Sequence, residues 1–136
     1  MGYPRNFTGE KNLSLQARID SNAWSPNDAH FFLAASVDNA WVGFAYAYEL
    51  PRPDGASMLF LYSIEVASEY RRRGVATALL SYLRDVVDER RMKELFVIAN
   101  RSNDAAVAFY RATGGVVEPG EDLCFVYPVR KRGSSE

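Results

Sequence analysis

Residues 58–91 read MLFLYSIEVASEYRRRGVATALLSYLRDVVDERR, and this stretch decides the fold. In Met58 to Val66, strict alternation would put Met58, Phe60, Tyr62, Ile64 and Val66 on one face and Leu59, Leu61, Ser63 and Glu65 on the other. Both faces are apolar for most of that length, which predicts a strand in the middle of a sheet. Further on, Val75, Leu79, Leu80, Leu83, Val86 and Val87 recur at helical spacing, with Arg84, Asp85, Asp88 and Glu89 on other faces. That periodicity predicts a long amphipathic helix.

Between strand and helix lies Arg71-Arg72-Arg73-Gly74-Val75-Ala76-Thr77. A helix start presents backbone N–H groups without intrahelical partners and the positive end of the macrodipole. Gly74 and Ala76 keep bulky side chains out of the way, so a phosphate can lie on those amides. Three arginines oppose the dipole there, a discord relieved by a bound polyanion. A solvated basic patch and a nucleic-acid phosphate contact are the competing readings. The turn is neither G-x-x-x-x-G-K-[ST] nor G-x-G-x-x-G, which disfavours nucleoside triphosphates and dinucleotides. Glu65 is the other oddity. A carboxylate at the end of an apolar strand pairs with a cation, sits at the wet end of the sheet, or has a chemical role.

Working outward, Glu94 to Ala99 (ELFVIA) predicts a buried strand, reached from the first by a parallel, right-handed crossover. Asn100 to Asp104 is a polar turn in which Asn103 or Asp104 suits a helix N-cap, and Ala105 to Arg111 a short helix. Gly114-Gly115 closes it where a left-handed residue is wanted. Upstream, Phe31 to Val37 and Trp41 to Leu50 predict two strands joined by a short hairpin at Asp38-Asn39-Ala40. The second places Val42, Phe44, Tyr46, Tyr48 and Leu50 on one face, read as core, and Gly43, Ala45 and Ala47 on the other. Gly43 marks a bulge or a close approach, and Pro51 to Gly55 a loop. Met1 to His30 is weakly patterned. Leu13, Leu15, Ala17 and Ile19 alternate with polar residues, but the expectation is one or two short helices. Val116-Val117 and Leu123 to Val129 predict the last strands, Glu118 to Asp122 between them a solvated acidic loop, and 130–136 a polar tail.

With 136 residues the chain is expected to form one domain, with 58–115 as its functional core. Its 16 basic and 17 acidic residues nearly cancel, so no global charge points to nucleic acid. One cysteine, Cys124, cannot form an internal disulfide, and it reads as packing in a reducing cytoplasm. A single His and a single Cys make a zinc site improbable, so no metal is expected. No stretch has the length and apolarity of a membrane span or signal peptide.

Two segments carry a family resemblance. Arg71, Gly74 and Ala76 match Q/R-x-x-G-x-G/A, the acetyl-CoA-binding motif of the GNAT superfamily of N-acetyltransferases. Asn103, Ala106, Phe109, Tyr110 and Gly114 match its second signature, N-x-x-A-x-x-F-Y-x-x-x-G-F, with Gly115 replacing the final aromatic. The resemblance implies a mixed, mostly antiparallel central α/β sheet with a parallel, splayed strand pair at the acetyl-CoA site, flanked by helices. The front of the chain is expected to leave little room for the usual first strand and first helix.

The resemblance further implies that amides of the turn from Arg71 through Arg72, Arg73, Gly74, Val75 and Ala76 to Thr77 hold the CoA pyrophosphate. The main chain of Ile64 to Val66 would bind the pantetheine arm, and Asn103 and Ala106 would join Tyr110 beside the coenzyme. Glu65 would take a proton from the amine, directly or through water, and Tyr110 would protonate the departing thiolate. The acceptor would be a primary amine of a small molecule or peptide, with no nucleic acid or membrane partner, and the protein a homodimer with a covered sheet edge. The phrases LYSIEV, RRRGVATALL and DAAVAFY look most like the small aminoglycoside 3-N-acetyltransferases that modify gentamicin, although Ser63 and Val126 stand where those enzymes carry acidic residues. A CoA-binding protein without turnover is the third reading.

Overall fold

The computed structural model describes residues 12–20 and 29–117, with side chains omitted for 18–20. Five strands, β1 (Leu13–Asp20), β2 (His30–Val37), β3 (Ala40–Pro51), β4 (Ser57–Val66) and β5 (Leu95–Val97), form one sheet in chain order. All neighbours are antiparallel except β4 and β5. β4 therefore has a strand on each side, as its two-faced apolar pattern predicts. Asp38 and Asn39 turn β2 into β3 with φ of 50° and 68°. Short polar side chains tolerate that left-handed region best, which suits a two-residue hairpin.

The front of the chain departs from expectation. Residues 13–20 form a strand, not a short helix, and pair along their whole length with β2. The alternation of Leu13, Leu15 and Ala17 decided the outcome, because it delivers Leu15 to a fully buried site. The first strand, for which the front of the chain seemed too short, is present.

Two register slips set the faces of the central strands. The β2–β3 ladder slips between Ala35 and Ser36, leaving Val42 without an opposite residue. The β3–β4 ladder slips between Tyr46 and Ala47, leaving Tyr62 unopposed. A bulge adds one residue to one strand and so reverses the alternation beyond it. Leu59 and Leu61 below the β4 bulge, and Ile64 and Val66 above it, consequently all join the same core. The strict alternation read from the sequence thus fails at Tyr62. On β3, Val42, Ala45 and Ala47 are buried while Phe44, Tyr46 and Tyr48 face the other way. The buried face is the alanine face, and the expectation of an aromatic core is reversed.

The reason is the helix above it. α1 (Val75–Glu89) buries Val75, Ala78, Leu79, Leu80, Leu83 and Val86 on the sheet. Alanines beneath let its leucines come close, and packing at that density would not admit three rings from one strand. Past its end, the Arg90 guanidinium lies 4.8 Å from the Phe31 ring centroid and reaches Glu49 at 3.4 Å, while Ser57 Oγ donates to Glu49 at 2.6 Å.

β5 is shorter and less buried than expected, three half-buried residues followed by Ile98 at 70% exposure. α2 (Asp104–Ala112) buries no residue fully. Phe109 and Tyr110 anchor it against the helix-side core, and Arg84 Nη1 donates to the Thr113 carbonyl at 2.9 Å. Val116 and Val117 are exposed and carry no strand. The acidic loop, Cys124 and the strand expected at Leu123 to Val129 lie outside the described residues.

Candidate active site

β4 pairs with β3 as far as Val66, opposite Gly43, but with β5 only from Leu59 to Leu61. Among the described residues, the β5-side edge of 62–66 therefore has no partner strand. Backbone groups of Ile64 to Val66 on that edge face no strand there, although the Val66 carbonyl already accepts one bond, from Arg71 Nε. This is the parting of parallel strands that the family resemblance implies.

A 3₁₀ turn, Ser68–Tyr70, then leads through the arginines to the start of α1. Gly74 caps the helix at φ 87° in the left-handed region, where a side chain would be strained. No side chain caps this end and no acidic residue sits in its first turn. Ala78 N–H, donating to the Gly74 carbonyl at 3.0 Å, is the first amide satisfied within the helix. The amides of Val75, Ala76 and Thr77 thus point into the turn with Arg71, Arg72 and Arg73 exposed around it. Arg73 lies 4.9 Å from the Tyr70 ring centroid, and Arg71 Nε donates to the Val66 carbonyl at 3.2 Å. Positive side chains, a helix dipole and unpaired N–H donors suit a pyrophosphate. The structure thus brings together Ile64, Val66 and the whole of 71–77.

Glu65 is exposed and lies between Ile64 and Val66, both of which pack against the core. It therefore projects from the opposite face, where its cross-strand partner is Phe44. A cleft of about 410 Å³ opens there, lined by Val42, Gly43, Phe44, Glu65, Val66, Ala67, Ser68 and Arg71. The wall from Val42 to Phe44 was not legible as part of a site. Gly43 was the available signal, read as a bulge or a close approach, and both are near it: the ladder slips at neighbouring Val42, and a Cβ at Gly43 would stand 2.8 Å from the Glu65 carbonyl oxygen. A bare glycine lets β3 press against the strand end that carries the carboxylate.

Tyr110 belongs to the other half. Asn103 caps α2, its side chain accepting from Ala106 N–H at 3.1 Å, which gives that residue a structural task. Tyr110 is half-buried beside Phe109, ring centroids 5.4 Å apart, and burial pushes its phenol above the usual 10. A phenol so placed keeps its proton through neutral pH and serves as a donor. Gly114 takes φ 101°, as its place after the helix requires. At Gly115 a Cβ would meet the Tyr110 carbonyl at 2.8 Å, so the final aromatic of the signature does not fit this backbone. Among the described residues, no cluster of three or more His, Cys, Asp or Glu is placed to hold a metal ion.

A central strand that leaves its parallel neighbour just before an arginine-rimmed helix start defines a mixed α/β fold with a helix start suited to an anion. The chain belongs to the acetyltransferase (GNAT) family, whose model matches residues 3–114. Over 54 residues it is 37% identical to the [ribosomal protein bS18]-alanine N-acetyltransferase of Escherichia coli K12, an alignment covering 40% of this chain and 36% of that protein. The match thus spans little more than a third of the curated relative.

Among solved structures, an aminoglycoside acetyltransferase from an uncultured soil metagenomic sample, in complex with trehalose, superposes with a TM-score of 0.75. It covers 88% of this chain and 97% of the other at 17% identity, which speaks to the fold alone. A second soil metagenomic aminoglycoside acetyltransferase is 33% identical, with a TM-score of 0.68 over 78% of this chain and 70% of that one. An aminoglycoside N-acetyltransferase solved with CoA matches at TM-score 0.64 and 25% identity, over 79% and 70% of the two chains. Among the described residues, no helix is long and apolar enough to cross a membrane.

Proposed function

We propose that this protein transfers the acetyl group of acetyl-CoA to a primary amine by direct attack in a ternary complex. The observation that carries the proposal is the meeting, within residues 64–77, of an unpaired strand edge, an uncapped helix start and an exposed carboxylate. Acetyl-CoA as cosubstrate supplies an activated acyl carbon. The turn from Arg71 to Thr77 holds its pyrophosphate, and the main chain of Ile64 and Val66 aligns the pantetheine. Asn103 and Ala106, one turn before Tyr110, set the position of that ring. Glu65 takes the proton from the substrate ammonium, so that the free amine attacks the acyl carbon. The C–N bond forms, the nitrogen releases its second proton to solvent, the C–S bond breaks, and the Tyr110 phenol gives its proton to the departing thiolate before being reprotonated by solvent. Holding amine and thioester together supplies much of the acceleration, and a main-chain amide near Val66 polarises the carbonyl.

An aminoglycoside acceptor is the second reading, favoured by the 33% identical neighbour. Against it stands Ser63, paired with Tyr46 and not acidic. Thiol release and product mass measured over a panel of amines, gentamicin and an alanine-terminated peptide included, separate the readings. Acetylated product is expected with at least one primary amine. Saturable CoA binding without product from any amine refutes the enzyme and leaves a CoA-binding protein. The homodimer and the cytoplasmic site belong to the same proposal, and light scattering in solution tests the first.

A further inference from the structure

The sheet face that carries Glu65 is paved with rings. Phe32 stacks on Phe44 with centroids 5.7 Å apart and contacts Tyr46 at 6.1 Å. Tyr46 meets Tyr48 at 5.0 Å, and Tyr48 meets Tyr62 at 5.8 Å. Phe60 continues the row, 6.1 Å from Tyr62 and stacked on Phe96 at 4.9 Å. The row crosses four strands from β2 to β5, and its Phe44 end stands directly opposite Glu65. It is accessible, since Tyr62 is 63% and Phe32 36% exposed.

Charge on the part of this face made by β2 to β5 is sparse. Strands β2 to β5 contain two acidic residues, Glu49 and Glu65, and no lysine or arginine. Glu49 is engaged by Ser57 and Arg90 on the helix side. The cleft thus offers a cation one carboxylate and the Phe44 ring, with Arg71 in the lining at the coenzyme end and more ring surface beyond, away from that arginine. An ammonium is attracted by an aromatic face within about 6 Å and by a carboxylate, while a flat apolar body gains from stacking on the rings. A polycation gains less for each added charge, because its further ammonium groups would lose hydration over rings with no carboxylate from these strands to pair with.

We infer that the acceptor is a small arylalkylamine: one primary ammonium at Glu65 and Phe44, on a short linker to an aromatic body that lies along the ring row towards Phe32. The inference rests on the acetyl-transfer reading and narrows it to a substrate class.

The test compares phenethylamine and tryptamine with 2-cyclohexylethylamine, gentamicin and an alanine-terminated peptide, in turnover and in equilibrium binding to the CoA-saturated protein. The aryl amines are expected to exceed gentamicin and the peptide at least tenfold in kcat/KM, and to exceed the cyclohexyl amine severalfold. Phe44→Leu is expected to raise KM for the aryl amines at least fivefold with a smaller change in kcat, and Phe44→Tyr to restore it, with melting curves reporting whether each variant folds. Gentamicin or peptide equal to or better than the aryl amines overturns the inference while leaving acetyl transfer standing. So does a Phe44→Leu variant that keeps the aryl preference. If no amine turns over, acetyl transfer falls, and tighter binding of the aryl amines than of the other amines still decides for the ring surface, equal or weaker binding against it.

Discussion

On the side of the sheet under α1, the strands offer Leu15, Leu33, Ala45, Ala47, Leu59 and Leu61, each at most 1% exposed. On the other side the same strands offer Phe32, Phe44, Tyr46, Phe60 and Tyr62, half-buried or exposed, and the carboxylate of Glu65. One face is fitted to a helix and the other is open at the place where a carboxylate emerges. The contrast separates tasks. The helix side holds the fold and aims the start of α1, while the ring side meets whatever brings the amine. β4 belongs to both, and its unpaired upper edge is where coenzyme and acceptor would meet.

The comparison breaks most visibly at Glu65. Glu65→Gln is expected to lower kcat/KM by about 10²–10⁴-fold, the range for removing a general base, with no change in melting temperature because the side chain is exposed. A variant with full activity moves the base elsewhere. Next in size is Leu79→Ala, which empties a fully buried site under α1 and should cost about 2–5 kcal/mol in denaturant unfolding. A loss well below that range would mean the helix side is less tightly packed than its burial indicates.

Tyr110→Phe keeps the ring against the core and removes the proton, and about a tenfold loss in kcat is expected because a thiolate leaves without much help. The sign with pH follows from burial. The folded-state value lies above 10, so the proton, and the stability tied to the neutral form, is complete below 10 and lost as pH rises through the raised value. A wild-type rate that falls only above pH 10, with that fall absent in Tyr110→Phe, is the profile to look for. The smallest effect belongs to Tyr62→Ala, at 63% exposure, where less than about 1 kcal/mol of stability should be lost.

Much of this was legible in the chain. The helix of α1, the central place of β4, a cap at Asn103 or Asp104 and the turn at Gly74 follow from periodicity and from residue types with narrow conformational uses. Family membership was legible from Arg71, Gly74, Ala76 and the Asn103 to Gly114 signature. The orientation of the strands was not, because a bulge inserts one residue without any compositional mark. Tyr62 and Val42 look like ordinary members of an alternating run, yet beyond each the faces exchange. β1 was missed for a different reason. Its eight residues carry helix-capping side chains as readily as strand alternation, and the decision came from pairing with β2, a contact a local pattern does not contain. The cleft wall at Val42 to Phe44 depends on that same long-range register. The conformation of the turn from Arg71 to Thr77, being local, does not.

The bulge at Tyr62 has a consequence for how this chain can vary. Its side chain stands in the open, so nearly any residue should serve there, but the position itself has to be occupied. Loss of that single codon would restore plain alternation through the upper half of β4. Glu65 would then turn under the helix, and Ile64 and Val66 would turn out among the rings. Substitutions at 62 should therefore be among the most tolerated in the strand and a one-residue deletion among the least: the strand counts residues there more strictly than it reads them.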